Sequence, residues 1–297
     1  MATEPRLPSD QRSRELTRLY ARAQRDIIAQ VQAAIRAGNL ERAAERRMQL
    51  AAVLATLDQL GAETDPLARE LARHAYADGS ELVARDLRRA IAGPVTVPAS
   101  FTGVSTNAVA ALEDGILGRL RTARQIVGRT VDDAYAAAGR RATMRALLGA
   151  AGSPRSAKAD LIRDLMRDRD VRRLLADSRG LTGFVDRAGK RWALDTYAEM
   201  AVRTVTRQAV VEGQVARMAS HGVSLARIST HASACPICQP WEGRLVSLDG
   251  ETTEYQGEAV ATGVDLPPYH PNCRHTIQPV VESVEALRQS MMEPASA

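Results

Sequence analysis

The run TNAVAALEDGILGRLRTARQIVGRTV, from Thr106 to Val131, sets Val109, Leu112, Ile116, Leu120, Ala123, Val127 and Val131 at steps of three and four. That spacing lines them along one face of a helix. Ser105 or Thr106 supplies an N-terminal cap, and the helix can continue past a weak point at Gly139 to Leu148. Upstream, Leu16, Leu19, Ala23, Ile27, Val31 and Ile35 repeat the pattern from a start after Ser9 or Asp10, and Gly38-Asn39 ends it. A second helix is expected from about 40 to 60, with Leu50, Val53, Leu54, Leu57 and Leu60 on its stripe. Thr64-Asp65-Pro66 then reads as a fresh start, because a side-chain acceptor precedes a proline in the first turn. That third helix is expected to reach Ile91, where Gly93-Pro94 stops it. Residues 93–104 read as an extended connector, and another helix is expected over 156–176.

The texture changes beyond residue 180. Residues 182–192 alternate about a turn-prone centre and predict a short hairpin. A helix from about Thr196 to His221 is closed by Gly222. Then come β-like stretches at 224–230, 244–248 and 276–281, separated by a Gly/Thr-rich loop over 249–269. A short helix fits 282–290. The predicted fold is therefore mainly α with a small C-terminal α+β module. The helical body covers 1–180, the hairpin-based, zinc-stapled module 181–285, and a flexible tail 286–297.

Composition agrees with this division. The 297 residues are 45% hydrophobic but only 3% aromatic, so alanine and leucine carry the apolar load and favour helix over strand. The formal charge of +5 is almost all arginine, since Lys158 and Lys190 are the only lysines. The arginines are interleaved with Asp and Glu along the helices, as solvated faces are, so packaged DNA is a permitted contact rather than a demanded one. The N-terminus is polar and charged, unlike a signal peptide, and no apolar run spans a bilayer. A reducing cytoplasm, or a particle assembled there, is the expected setting, with no membrane partner.

All three cysteines and two of the five histidines crowd into one region: Cys235 and Cys238, then His270, Cys273 and His275. An odd cysteine count argues against a closed disulfide framework. Cys-x-x-Cys on a tight turn lets two thiolates converge on one ion, and His270-x-x-Cys273 or Cys273-x-His275 can supply the opposite pair. Zinc wants four such N/S ligands in a tetrahedron. His270 is the preferred fourth ligand because its spacing repeats the knuckle, with His275 as substitute. A redox pair lacks the expected βαβ setting, although three buried small hydrophobes remain an alternative. His74 and His221 read as ordinary helix residues, and His231 precedes the knuckle. No Gly-rich phosphate loop, Gly-x-Ser-x-Gly elbow or His-Glu-x-x-His is present. No catalytic residue is assigned, and the chain is not expected to be an enzyme.

The strings Ile228-Ser-Thr-His231, Cys235-Pro-Ile-Cys238-Gln-Pro-Trp241-Glu242-Gly243-Arg244 and His270-Pro-Asn-Cys273-Arg274-His275-Thr276 resemble those of the phage minor capsid protein 2 family. More loosely, they resemble the Mu F-like minor head proteins. The helix opening Trp192-Ala-Leu-Asp-Thr-Tyr197 looks like the one that leads into the module in such proteins. The resemblance covers roughly 180–282; upstream it rests on size and helical character. It implies a low-copy structural component of a tailed-phage head, at the portal vertex or capsid interior, acting in head morphogenesis. It also implies portal, capsid or scaffold proteins as partners, and the virion as location after assembly in the host cytoplasm. Two other functions compete on the residues alone: a metal-dependent nuclease, and a nucleic-acid-binding zinc module using Arg244, Arg274 and the basic helices.

Overall fold

The computed structural model describes residues 7–37, 40, 42–91, 105–148, 184–185, 191–231 and 235–292. The connector over 93–104, the helix expected over 156–176 and the turn of the 182–192 hairpin lie outside these residues. Long helices dominate, and a small sheet follows them: α1 Pro8–Ala37, α2 Ala43–Ile91, α3 Thr106–Leu148, then α4 Leu194–Ala219 and α5 Val284–Met292. The fold is mainly α with a small C-terminal α+β module, as the sequence predicts.

Helix starts follow local chemistry. At α1 the Asp10 carboxylate accepts the Leu7 N–H at 2.9 Å, with Pro8 in the first turn. At α3 the Ser105 hydroxyl accepts the Ala108 N–H at 3.2 Å. The prediction of separate second and third helices fails. α2 is one helix of 49 residues that runs through Pro66. The Thr64 hydroxyl does not cap a new start; it donates back to the Leu60 carbonyl at 2.6 Å, within the helix. Val53, Leu57, Leu60 and Thr64 stay buried on one stripe up to the proline, so packing overrides the lost backbone donor. Leu54, expected on that stripe, is 41% exposed.

The chain divides into two compact units. The first comprises Arg14–Leu67 and Leu117–Glu199. Buried in it are Leu16, Tyr20, Ile27 and Val31 of α1, Val53, Leu57 and Leu60 of α2, and Leu120, Val127, Val131 and Tyr135 of α3. A partly buried ionic knot lies inside it. The Arg124 guanidinium donates to the Tyr20 hydroxyl at 2.8 Å and meets the Asp65 carboxylate at 2.9 Å. The guanidinium rests against Gly61, which has no side chain to obstruct it. Strands β1 (Phe184–Val185) and β2 (Arg191–Trp192) pair as the expected hairpin, Phe184 opposite Trp192. α4 starts two residues before the predicted Thr196, where the Gln24 side-chain carbonyl accepts the Asp195 N–H at 3.1 Å.

The second unit comprises Met1–Ser13, Ala68–Ile116 and Met200–Ala297. Its sheet has the order β5-β6-β4-β3-β7, formed by β3 Leu225–Ile228, β4 Leu245–Ser247, β5 Glu254–Tyr255, β6 Glu258–Ala261 and β7 Ile277–Pro279. β3 is antiparallel to β4 and β7, whereas β4 and β6 run parallel. β5 and β6 were expected to be loop. Their connection places Gln256 and Gly257 at positive φ (51° and 81°), the geometry of a tight hairpin turn. One face of the sheet packs Ala226, Ile228, Val246 and Ile277 against Val83, Leu87 and Ile91 of α2 and Val211 and Met218 of α4. The other face buries Leu225, Leu245 and Val260. Leu287 of α5 joins the larger core, and Arg288 donates to the Ile91 carbonyl at 3.1 Å, so these two residues of the stretch read as a flexible tail are packed.

α2 and α4 meet backbone to backbone. A Cβ on Gly79 would overlap the Val210 carbonyl, and one on Gly213 would overlap the Tyr76 carbonyl. Gln214, one residue on, is 2% exposed. Its amide donates to the Ile277 carbonyl at 2.7 Å and accepts the Ile277 N–H at 3.3 Å, satisfying the outer edge of β7.

Candidate metal centre

Two tight turns face each other at one end of the sheet. In the first, the Cys238 and Gln239 N–H groups donate to the Cys235 carbonyl at 3.0 and 2.9 Å, which folds Cys235-Pro-Ile-Cys238 into a knuckle. In the second, the Cys273 N–H donates to the His270 carbonyl at 3.0 Å, and Asn272 takes the positive φ (64°) the turn requires. A short 3-10 turn, Gln239–Trp241, follows the first knuckle and leads to Glu242 and Gly243. Gly243 has φ +72°, and its N–H donates to the Ile228 carbonyl at 3.1 Å, delivering the chain into β4 beside β3.

All five predicted residues converge. The His270 Nε2 lies 3.1 Å from the sulfurs of both Cys235 and Cys238. Cys238 and Cys273 sulfurs are 3.7 Å apart, and the His275 Nδ1 is 3.6 Å from the Cys273 sulfur. The donors form two triads that share Cys238: Cys235, Cys238 and His270, and Cys238, Cys273 and His275. The second triad is buried throughout. No disulfide links the thiols, and 3.7 Å is far beyond an S–S bond of about 2.05 Å.

Glu242 closes the arrangement from behind. One of its oxygens accepts the His275 Nε2–H at 2.9 Å and the His231 backbone N–H at 2.6 Å. The His231 ring sits edge-on to the His275 ring with centroids 4.5 Å apart. The hydrogen bond from His275 holds the Glu242 carboxyl below the usual carboxylate range. Trp241 stacks on Tyr269 with centroids 5.5 Å apart, and the Arg244 guanidinium lies over the Trp241 ring. Both aromatics pack on the sheet core, so they serve the module's interior.

The donor set fits a metal ion. Burial, with the neighbouring Cys235 and Cys273, pushes the Cys238 thiol up to about 12. The backbone N–H of Cys238, with that of Ile237, pulls Cys235 the other way. Cysteine and histidine side chains gathered in this way suit a soft cation such as zinc. The Tyr269 hydroxyl is buried with no hydrogen-bond partner among the described residues, and burial raises its pKa. Elsewhere His74 lies exposed on α2, an ordinary helix residue as expected.

A family model described as phage minor capsid protein 2 matches residues 8–295. The chain belongs to the phage minor capsid protein 2 family. The match extends beyond the C-terminal strings and takes in the helical body, where the sequence offered only length and helicity. No curated protein and no solved structure matches the chain. Membership makes this a phage capsid component, which places it with other head proteins in the virion. No helix among the described residues is long and apolar enough to cross a membrane. The family strings also acquire physical meaning. Cysteines and histidines converge, Trp241 and Tyr269 support the sheet, Glu242 bonds His275, and Gly243 turns the chain. Sequence reasoning quoted Glu242 only as part of a signature and missed Gln214; the Trp-Glu-Gly string between the two Cys/His turns was the available signal for the former.

Proposed function

We propose that this phage minor capsid protein is a low-copy structural component of the head, at the portal vertex or capsid interior, acting in head morphogenesis. The family match over nearly the whole chain carries the reading. The helical segment through about residue 180 contacts portal, capsid or scaffold subunits. The module over 181–285, related to the Mu F-like proteins, is a rigid docking element stapled by one zinc ion. Packaged DNA is a further contact, made through the exposed arginines. The protein joins the particle in the host cytoplasm and remains in the virion.

Structural rather than catalytic use of the metal is supported by burial. Cys238, Cys273 and His275 are 1%, 4% and 3% exposed, which leaves a substrate no approach to them. Structural zinc sites are closed in this way, whereas catalytic ones keep an open position. A zinc cross-link also suits a sheet of five strands, each two to four residues long.

Quantitative mass spectrometry of density-purified virions tests the location: the protein should be present at a small fraction of the major capsid copy number. Its absence from mature particles, with presence in proheads alone, would overturn virion residence. Metal analysis of purified protein should give about one zinc per chain. Plasmid incubated with magnesium or manganese should stay intact.

A further inference from the structure

The geometry points to His275, positioned by the Glu242 carboxylate, as the imidazole that binds the ion together with Cys238 and Cys273, in preference to His270. The inference rests on the zinc reading above and deepens it: five donors are present for four positions, and the structure discriminates between the two histidines.

Distances make the first distinction. With zinc–ligand bonds of about 2.0–2.3 Å, the atoms at the corners of a tetrahedron stand about 3.5–3.8 Å apart. Cys238 to Cys273 at 3.7 Å and Cys273 to the His275 Nδ1 at 3.6 Å match two such edges. The His270 Nε2, at 3.1 Å from both Cys235 and Cys238, stands closer than such an edge. That is the separation of a direct contact to sulfur.

The surroundings make the second distinction. A metal-bound imidazole is aimed by a hydrogen bond from its other nitrogen, commonly to a carboxylate, which fixes both tautomer and ring orientation. His275 has this arrangement: Nε2 donates to Glu242 at 2.9 Å and Nδ1 faces the sulfurs. His275 is also 3% exposed. The backbone around it is fixed. Ser229 and Thr276 exchange bonds at the open end of the β3–β7 ladder, the Ser229 N–H donating to the Thr276 carbonyl at 2.9 Å and the Thr276 N–H to the Ser229 hydroxyl at 3.0 Å. The same Glu242 oxygen holds the His231 N–H, so one carboxylate joins the exit of β3, the knuckle and the entry to β7. His270 is half-exposed, and among the described residues its Nδ1 reaches the carbonyl of the next residue, Pro271, at 2.7 Å rather than a carboxylate. Glu242 is accordingly a positioning residue: it acts on the ion through His275.

Full-length protein purified with zinc is compared with Glu242→Gln, Glu242→Ala, His275→Ala and His270→Ala by chelator competition. The expected result is wild-type affinity, within about threefold, for His270→Ala and loss of stoichiometric zinc in His275→Ala. Glu242→Ala should weaken binding by about 10–100-fold, with Glu242→Gln, which keeps an acceptor oxygen, between it and wild type. A nitrogen-15 long-range spectrum of labelled histidines gives a readout that a purely structural role would not move. His275 should show a protonated Nε2 and a metal-shifted Nδ1, and Glu242→Ala should alter that pattern in chains that still hold zinc. Loss of zinc in His270→Ala together with its retention in His275→Ala overturns the assignment, even if the Glu242 variants fail to fold. So does an unchanged His275 pattern in zinc-loaded Glu242→Ala. A wild-type protein without zinc overturns the metal reading itself, and this inference with it.

Discussion

Replacing Gly213 by alanine should destabilise the protein, although alanine is the better helix former. Exchange of glycine for alanine within an exposed helix contributes about 1 kcal/mol of stability. At Gly213 that gain is opposed by overlap of the new Cβ with the Tyr76 carbonyl, and by a 3.2 Å approach to the Ser80 nitrogen. Both neighbours are backbone of α2, so no side chain can rotate away. The helices must separate, at the upper end of the cost for overpacking, about 3 kcal/mol. The net effect is a loss of about 2 kcal/mol, which lowers the melting temperature by about 4–8 °C in a protein of this size. Gly118 is the internal control. It lies in α3 with nothing within 4 Å of its added Cβ, so Gly118→Ala should raise stability by about 1 kcal/mol. Thermal melts followed by circular dichroism at one protein concentration compare the two variants. Gly79→Ala, in the same crossing against Val210, should be destabilising as well. The double variant Gly79→Ala with Gly213→Ala should cost less than the sum, because separating the helices once relieves both overlaps. A Gly213→Ala protein that melts at or above wild type would refute the close crossing of α2 and α4.

Three further outcomes are expected. Arg124→Ala leaves the buried Tyr20 hydroxyl and the partly buried Asp65 without their partner and should cost about 1–3 kcal/mol in urea denaturation, whereas Arg124→Met combined with Asp65→Leu should recover most of it; equal losses in both would show that the ionic knot is dispensable. Gln214→Ala leaves the outer N–H and carbonyl of Ile277 without their partner and should cost about 1–3 kcal/mol, with faster amide exchange at Ile277 as the local sign. The His221 pKa is lowered by burial and by the charge of Arg217, so the unfolded chain takes up its proton first as pH falls. The stability tied to this group is present above the unfolded value of about 6.5 and is lost as pH drops through the lower folded value. Urea midpoints at neutral pH and near pH 5 should therefore differ more for wild type than for His221→Leu, and equal differences would remove His221 as the cause.

Periodicity and caps are local properties, and they were legible. The stripe over Val109–Val131, the Ser105 cap and the Gly222 stop all lie within a few residues of what they control. The convergence of the five candidate donors was legible for a related reason, since Cys-x-x-Cys and His-x-x-Cys fold into knuckles through bonds inside each turn. Pro66 misled because its local signal for a break was outweighed by burial of the surrounding stripe and by Asp65 engaging Arg124, 59 residues away. β5 and β6 were missed because β6 gains its place by parallel pairing with β4, which no alternation within Glu258–Ala261 announces.

By itself, then, the sequence determined the helical stripes and caps, the crowding of its Cys and His side chains and, through its family strings, the class of particle the protein serves. Those features depend on hydrogen bonds and spacings spanning a few residues. The tertiary structure alone decided which glycines must remain glycine, which buried amide closes the sheet edge, and which histidine Glu242 holds toward the thiols. Each of these turns on an approach of a few ångströms between segments distant in sequence, and helical spacing carries no information about such approaches.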